Sequence, residues 1–214
     1  MRFTRESFQP DVPTFDAVWL CEHMRAGSWM AEAGGQPPHA HHPLVLLADP
    51  VGQSGMAVSL RSATLLQLNL GSALIERLAA QGCAVGPLAG LALHEILVNA
   101  AIHGNLEVMS GPSTAWSDLA SRDSMVTAAL ANPRLAARFV TLAVWWDAES
   151  LVAVIADEGA GCPVQLIEES SANIDRRGAG RGLMIARAAA QVDLLNGGRS
   201  TRLTFARQPA AAVA

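Results

Sequence analysis

The clearest pattern of hydrophobic and polar positions lies in residues 91–105, LALHEILVNAAIHGN. Apolar residues occupy nearly every side of this segment, which predicts a helix enclosed in a hydrophobic core. Glu95, Asn99 and His103 interrupt the pattern at i, i+4 and i+8, so at 3.6 residues per turn they form one polar line along the helix. Because buried carboxylate and carboxamide groups cost free energy unless something pairs with them, the line predicts a bound polar ligand.

Two alternatives apply to this polar line. Glu95 and Asn99 could be an exposed charge and a cap-like amide, but their apolar neighbours favour a buried position, where unpaired charge is rare. For His103 the favoured interpretation is structural packing.

Apolar spacing predicts the other elements of the chain. Predicted helices cover residues 58–80, 91–105, 116–130 and 184–192, with a short one within 15–30, and predicted strands cover 43–48, 139–146, 151–155 and 200–206. The helices at 58–80 and 91–105 are joined by a short loop, which predicts antiparallel packing. Since helices collect early and strands late, the chain is predicted to be an α+β two-layer sandwich, a mostly antiparallel mixed sheet with helices on one face.

The domain organisation follows from length and from breaks in the pattern. The chain has 214 residues, half of them apolar, which is enough for one sizeable core. We predict an N-terminal extension at 1–43, a main domain at 44–207 with an insertion at about 107–137, and a disordered tail at 208–214. The extension and the insertion are the expected partner-binding surfaces.

Composition excludes several classes of function. The net charge is −4 and no run of Lys or Arg occurs, which argues against direct binding to nucleic acid. Cys21, Cys83 and Cys162 show no CxxC spacing, which argues against a disulfide framework or a zinc cluster and favours a reducing compartment. Neither a secretory signal nor an apolar stretch long enough for a membrane span is present in the sequence. The predicted localisation is cytoplasmic, without membrane association.

His39, His41 and His42 raise the question of a metal site. They lie in a segment flanked by prolines and have no second group of ligand residues at a typical spacing. The favoured interpretation is a polar loop.

Two later segments indicate which ligand the polar helix binds. The apolar run 151–155 leads into the acid and glycines of 157–161, DEGAG, and a second glycine-rich segment, 178–183, GAGRGL, precedes a predicted helix. Glycines before a helix let backbone N–H groups approach phosphates at the positive end of the helix dipole. In order and spacing, these segments and the polar helix resemble the N, G1 and G2 boxes of the GHKL or Bergerat ATP-binding fold, which gyrase, Hsp90, sensor histidine kinases and MutL share.

The resemblance covers residues of about 60–206 and is greatest to the anti-sigma-factor serine kinases. The grounds are the N box at 95–105, the short stretch between 161 and 178, and the final 198–203, GRSTRL. No convincing phosphoacceptor histidine on a dimerising helix precedes the site, as a sensor histidine kinase requires, and no transducer domain follows it. The resemblance implies a regulatory protein partner, namely an antagonist of the anti-anti-sigma type, with a sigma factor or response regulator as a further candidate. Relatives of this family also form homodimers, so the resemblance includes a homodimer among the expected oligomeric states.

The resemblance also implies ATP and Mg²⁺ as cofactors and assigns three roles. Asn99 offers a hard carboxamide oxygen to Mg²⁺. Glu95, one helical turn earlier, resembles the general base that takes a proton from the attacking hydroxyl or water. Asp157 accepts a hydrogen bond from the exocyclic amine of adenine, which excludes guanine.

The remaining nucleotide-binding residues are implied by the glycine segments and the last strand. Thr201 either hydrogen-bonds near the adenine or only favours a strand. The other predicted contacts are Gly159 and Gly161 beside the base, and Gly178, Gly180 and Gly182 with Leu183 at the phosphates.

Three functions are compatible with these residues. The first is an ATP-dependent protein serine/threonine kinase that phosphorylates a small antagonist protein in partner switching. The second is a nucleotide-dependent partner-binding switch without catalysis, and the third is a detached histidine-kinase catalytic domain. Glu95 favours the first, since a protein that only binds nucleotide needs no base beside the Mg²⁺ ligand.

Overall fold

Seven strands form one sheet in the described part of the chain. The computed structural model describes residues 4–10, 15–33, 54–108, 116–161 and 181–208, and for 116–120 and 122 it describes the backbone alone. The strands are β1 (Thr4–Phe8), β2 (Ser28–Glu32), β3 (Ser54–Arg61), β4 (Phe139–Trp146), β5 (Ser150–Ala156), β6 (Gln191–Leu195) and β7 (Ser200–Ala206). Their order across the sheet is β1-β2-β3-β4-β5-β7-β6.

The sheet is mixed. β1, β2 and β3 run parallel to one another, and the pairings from β3 onwards are antiparallel. The predicted hairpin of β4 and β5 is confirmed. Its turn is closed by Asp147, whose Oδ1 accepts hydrogen bonds from the backbone N–H groups of Glu149 and Ser150 at 2.8 and 2.9 Å.

Seven α-helices are present among the described residues. They are α1 (Ala17–His23), α2 (Ser62–Leu65), α3 (Leu70–Ala80), α4 (Ala89–Asn99), α5 (Trp116–Leu130), α6 (Pro133–Ala136) and α7 (Arg181–Ala189). A π-helix, Ala100–Asn105, continues α4 directly. None of the helices in these ranges is long and apolar enough to cross a membrane.

The main hydrophobic core lies between one face of the sheet and four helices. Alternate strand residues such as Val58, Leu142, Ile155 and Leu203 pack there with apolar residues of α1, α3, α4 and α7. These contacts confirm the predicted α+β class with a mixed sheet.

The helices α3 and α4 pack at very short range. A Cβ atom at Gly71 of α3 would lie 2.5 Å from the carbonyl oxygen of Gly90 and 2.7 Å from the backbone nitrogen of His94, both in α4. The two helices can therefore approach this closely because glycine occupies the crossing point, and α3 supports the helix that carries Glu95 and Asn99.

Two predicted helices have wrong boundaries. The predicted helix at 58–80 is divided: residues 58–61 belong to β3, where Val58 shares a face of the sheet with Met56 and Leu60, and the helical residues form two helices, α2 and α3. The helix predicted at 184–192 begins at Arg181 and ends at Ala189, and the next residues form the unpredicted edge strand β6. Both errors arise where an apolar run serves a helix and a strand in succession.

Other predictions have mixed outcomes. The helix at 116–130, the short helix within 15–30 and the strand at 200–206 are confirmed. The strand predicted at 43–48 and the histidines His39, His41 and His42 lie outside the described residues, as does nearly all of the predicted tail at 208–214.

The described part of the predicted N-terminal extension is built into the sheet and the core. β1 and β2 extend the sheet from β3 in parallel, and Leu20 and Met24 are fully buried beneath them. At the ends of β2 and β3, buried Glu32 accepts hydrogen bonds from the backbone and the guanidinium of Arg61, at 2.9 and 3.2 Å. This segment therefore forms one structural unit with the strands that follow it.

Candidate functional site

The polar line of α4 lies at the border between the core and the surface. Ile96 and Leu97 are buried, whereas Glu95 and Asn99 are half-buried. Leu91 is 43 % exposed. The prediction of a helix enclosed on all sides is therefore wrong for this edge of α4, which is partly exposed.

The π-helix that follows α4 changes the direction of the third residue of the line. In a π-helix the hydrogen bonds run from i to i+5, so residues four apart no longer align as they do in an α-helix. His103 Nδ1 lies 2.5 Å from the carbonyl oxygen of Val108. The packing interpretation of His103 is consistent with this contact.

Gly182, in the first turn of α7, brings that helix against the polar line. A Cβ atom at Gly182 would lie 2.6 Å from Glu95 Oε2 and 3.2 Å from Asn99 Nδ2. The positive end of the α7 dipole therefore lies beside the Glu95 carboxylate. Asn99 directs its side-chain amide toward the first turn of α7.

The rest of the glycine-rich segment is only partly described. Gly178 and Gly180 lie outside the described residues. Leu183 is half-buried and packs against the main core. Its hydrophobic contact helps to fix the start of α7 on the core.

Asp157 follows β5 and lies against the end of the π-helix. A Cβ atom at Gly104 would meet the Asp157 carboxyl group. The Asp157 backbone N–H donates to the carbonyl oxygen of Arg199 at 3.0 Å, and Asp157 Oδ1 accepts a hydrogen bond of 2.8 Å from the backbone of Gly159. The strand end and the polar helix are thus joined at this carboxylate.

Burial determines the protonation of this carboxylate. It raises the pKa of Asp157 from 3.8 to about 6, although the Gly159 N–H and the charges of Arg199 and Arg138 act in the opposite direction. The neighbouring Glu158 adds to the increase. A carboxyl group whose pKa is raised by burial is typical of functional sites.

The two glycines after Asp157 avoid contacts with the chain's own backbone. A Cβ atom at Gly159 would meet the carbonyl group of Gly104, and one at Gly161 would meet the carbonyl oxygen of Gly197. Gly161 also has a positive φ of 86°, which glycine adopts without strain. Both glycines were predicted to leave space for the adenine base. Part of that space is occupied by the backbone carbonyl groups of Gly104 and Gly197.

Thr201 lies on the sheet face that packs against the helices. It pairs with Ile155 of β5 on one side and with Leu194 of β6 on the other, and it is half-buried. The strand interpretation of this residue is confirmed. Its contact with adenine stays a prediction.

Asn105, to which the sequence assigned no separate role, holds the site together. It is fully buried at the end of the π-helix. Its Nδ2 donates to Ser62 Oγ at 3.0 Å, and its Oδ1 accepts from the backbone N–H of Glu158 at 2.8 Å. Its carbonyl oxygen accepts from Arg138 Nη1 at 2.7 Å. Its place at the end of a predicted polar helix was the only available signal of this role.

Glu158 connects the same turn to β4. Its Oε2 atom accepts a hydrogen bond of 3.0 Å from the backbone N–H of Phe139, the first residue of that strand. Asn105 and Phe139 therefore hold Glu158 from two sides, through its backbone and its side chain. The Asp157–Gly159 turn is fixed relative to both the helix and the sheet.

Replacing Asn105 by Ala is expected to lower the free energy of unfolding by about 1–3 kcal/mol, the usual cost of leaving buried hydrogen-bonding groups without a partner. The Ser62 hydroxyl and the Glu158 N–H would each lose a partner. Urea unfolding measures the change. Asn69→Ala is the matched control, because Asn69 is exposed and makes no side-chain cap at the start of α3. Equal stability of the two variants would contradict the bracing role of Asn105.

Within the described ranges, no group of three or more His, Cys, Asp or Glu side chains could hold a metal ion by itself. A cation at this site would therefore depend on Asn99 together with oxygens from a ligand, as Mg²⁺ commonly does with phosphates.

Comparison of the chain with models of protein families finds no matching family, and comparison with curated proteins finds no match.

Proposed function

We propose that the protein is an ATP-binding protein serine/threonine kinase of the anti-sigma-factor type, with a Bergerat ATP-binding fold. The observation that carries the proposal is that one continuous helical segment meets both glycine segments. Glu95 and Asn99 lie against Gly182 at the start of α7, and Gly104 lies against Asp157 after β5. A nucleotide that is bound at both its base and its phosphates needs two binding segments held at a fixed distance, and this helical segment contacts both of them.

The proposed binding mode assigns each part of ATP to one segment. Asp157 accepts a hydrogen bond from the adenine amine, with Gly159, Gly161 and Thr201 beside it. The phosphates lie at the N-terminus of α7, where backbone N–H groups and the helix dipole favour negative charge. Asn99 would hold Mg²⁺ through its side-chain oxygen, and the ion would neutralise charge on the phosphates.

The proposed reaction is transfer of the γ-phosphoryl group to a hydroxyl of a partner protein. Glu95 lies one turn before Asn99, so its carboxylate would accept the proton of the partner's hydroxyl as the new oxygen–phosphorus bond forms and ADP leaves. The proposed partner is a small antagonist protein, and in its free form the protein sequesters a sigma factor or another regulator. Homodimerisation and a cytoplasmic site of action are part of the same proposal.

One contact favours a second candidate, a nucleotide-dependent switch without catalysis. Glu95 Oε2 is the atom nearest to the position of a Gly182 Cβ, so this carboxylate also contacts the start of α7. An acid at the positive end of a helix stabilises that end electrostatically. In a pure switch, Glu95 would hold α7 in place and would not accept a proton.

Mg-ATP is expected to raise the free energy of unfolding of the protein by about 2.7 kcal/mol at 100 times its Kd, because a ligand that binds only the native state stabilises that state.

The Asn99→Ala variant is expected to lose the Mg²⁺-dependent part of its nucleotide affinity and to keep the helix α4, since Ala favours helices. Thermal unfolding and calorimetry measure the two effects, each with Mg²⁺ and with a chelator.

Asn69→Ala serves again as the control and should bind Mg-ATP as the wild type does. No thermal shift of the wild type with saturating Mg-ATP would refute nucleotide binding. An Asn99→Ala variant with unchanged Mg²⁺ dependence would refute the assignment of the metal ligand. Capture of partners from bacterial extract with ATP or ADP present, followed by mass spectrometry, then identifies the protein substrate.

A further inference from the structure

Gly104 in the π-helix lies directly against the side chain of Asp157. A Cβ atom at this position would meet Asp157 Cγ and would lie 2.6 Å from Oδ2 and 2.7 Å from Oδ1. The three atoms nearest to the added carbon therefore belong to the same carboxyl group. Any side chain at position 104 would have to displace this carboxylate.

The surrounding contacts prevent the whole turn from moving away together with the carboxylate. Gly159 packs its Cα against the carbonyl group of Gly104 and donates its N–H to Asp157 Oδ1 at 2.8 Å. Glu158 is held by Asn105 through its N–H and by Phe139 through its carboxylate. With Glu158 and Gly159 fixed, the easiest response to a side chain at Gly104 is rotation of the Asp157 side chain alone.

Resting on the proposed function, we propose that Gly104 is a specificity-determining residue of the nucleotide site. Its lack of a side chain leaves the Asp157 carboxylate where it accepts a hydrogen bond from the exocyclic amine of adenine. Guanine presents an oxygen at the corresponding ring position, and two acceptors facing each other cannot form a hydrogen bond. Gly104 thereby governs the preference for adenine without contacting the base through a side chain.

The test compares the affinities for Mg-ATP and Mg-GTP of the wild type, Gly104→Ala and Gly86→Ala by calorimetry. Gly86 is the matched control, because an added Cβ there meets nothing within 4 Å. We expect the wild type and Gly86→Ala to prefer ATP. In Gly104→Ala the preference should fall roughly tenfold or more, as expected when a hydrogen bond to a charged group is lost. Its affinity for GTP should change less, because the phosphate contacts lie at α7.

A double-mutant cycle with Asp157→Ala shows whether the effect passes through the carboxylate. In the Asp157→Ala background, Gly104→Ala should leave the ATP-to-GTP ratio unchanged and should lower the melting temperature much less than it does with Asp157 present, since the group it displaces is gone. If Gly104→Ala alone does not fold, a folded double variant supports the contact, and an unfolded double variant overturns it.

The possible failures are distinguishable. A wild type that binds no nucleotide overturns the proposed function and this inference with it. A wild type that prefers ATP, with a folded Gly104→Ala variant that keeps the same preference, overturns the role of Gly104 alone. Additive effects of the two substitutions on the ATP-to-GTP ratio would also overturn it.

Discussion

Replacing Glu95 by Ala is expected to lower phosphoryl transfer by a factor on the order of 10² to 10⁴ while nucleotide binding stays nearly intact. A general base acts on the attacking hydroxyl only as the bond to phosphorus forms, so its removal affects the transition state more than the ground state. Glu95 is half-buried beside Asn99, and Ala in its place preserves α4. The assay uses labelled ATP with the captured partner, at equal nucleotide occupancy of both proteins.

The exposed Glu76 of α3 provides the matched control, and Glu76→Ala should transfer phosphate at the wild-type rate. Equal rates for Glu95→Ala and the wild type would make Glu95 a structural carboxylate and would favour the switch. No transfer by the wild type with any partner would favour the switch more strongly. A label that acid removes would indicate phosphohistidine and the histidine-kinase alternative, whereas we expect an acid-stable phosphoserine or phosphothreonine.

Asp157→Asn is expected to stabilise the ligand-free protein at neutral pH and at the same time to weaken ATP binding. Since burial raises the pKa of Asp157 to about 6, the folded state disfavours the ionised form. The contribution of Asp157 to the free energy of unfolding is therefore greatest below the pKa of this group in the unfolded chain, 3.8. That contribution is lost as the pH rises through about 6. Asn is uncharged at every pH and avoids this loss.

The effect on binding has the opposite direction for a chemical reason. An ionised carboxylate offers only acceptors to the adenine amine, whereas the Asn side chain replaces one of them by a donor. Denaturant unfolding of the ligand-free proteins at about pH 4 and about pH 8 measures the stabilities, and calorimetry at the higher pH measures the ATP affinity.

Two results would contradict this prediction. A stability difference between the two proteins that is the same at both pH values would mean that the carboxylate is not desolvated. Unchanged ATP affinity would mean that Asp157 does not contact the base. The combination expected here, greater stability with weaker binding, is the usual exchange between stability and function at a binding site.

The helices and strands that could be predicted are those with a strong apolar pattern within their own residues. The helix at 91–105 and the strand Phe139–Trp146 have strong apolar patterns of the right length. The strands β1 and β6 have charged or polar residues and lie at the two edges of the sheet, where a strand is defined by pairing with its neighbour and has little apolar alternation of its own.

The same distinction applies to the candidate site. Glu95, Asn99 and Asp157 were predictable because their side chains are polar within apolar segments. The bracing role of Asn105 was not, since its partner Glu158 is 53 residues further along the chain. The closeness of Gly104 to Asp157 likewise arises only when the π-helix packs against the end of β5.

The parallel strands at the beginning of the chain have a consequence for aggregation. β1 ends the sheet with the exposed charges of Arg5 and Glu6, and charged residues on an edge strand discourage pairing with other molecules. A chain that started after residue 33 would instead end the sheet at β3, whose residues 55–60 are all buried in the intact protein. Residues 55–60 of that edge carry no charged side chain, and edges of this kind recruit strands from neighbouring molecules. The charged edge strand β1 is therefore expected to protect the sheet from self-association as well as extending it.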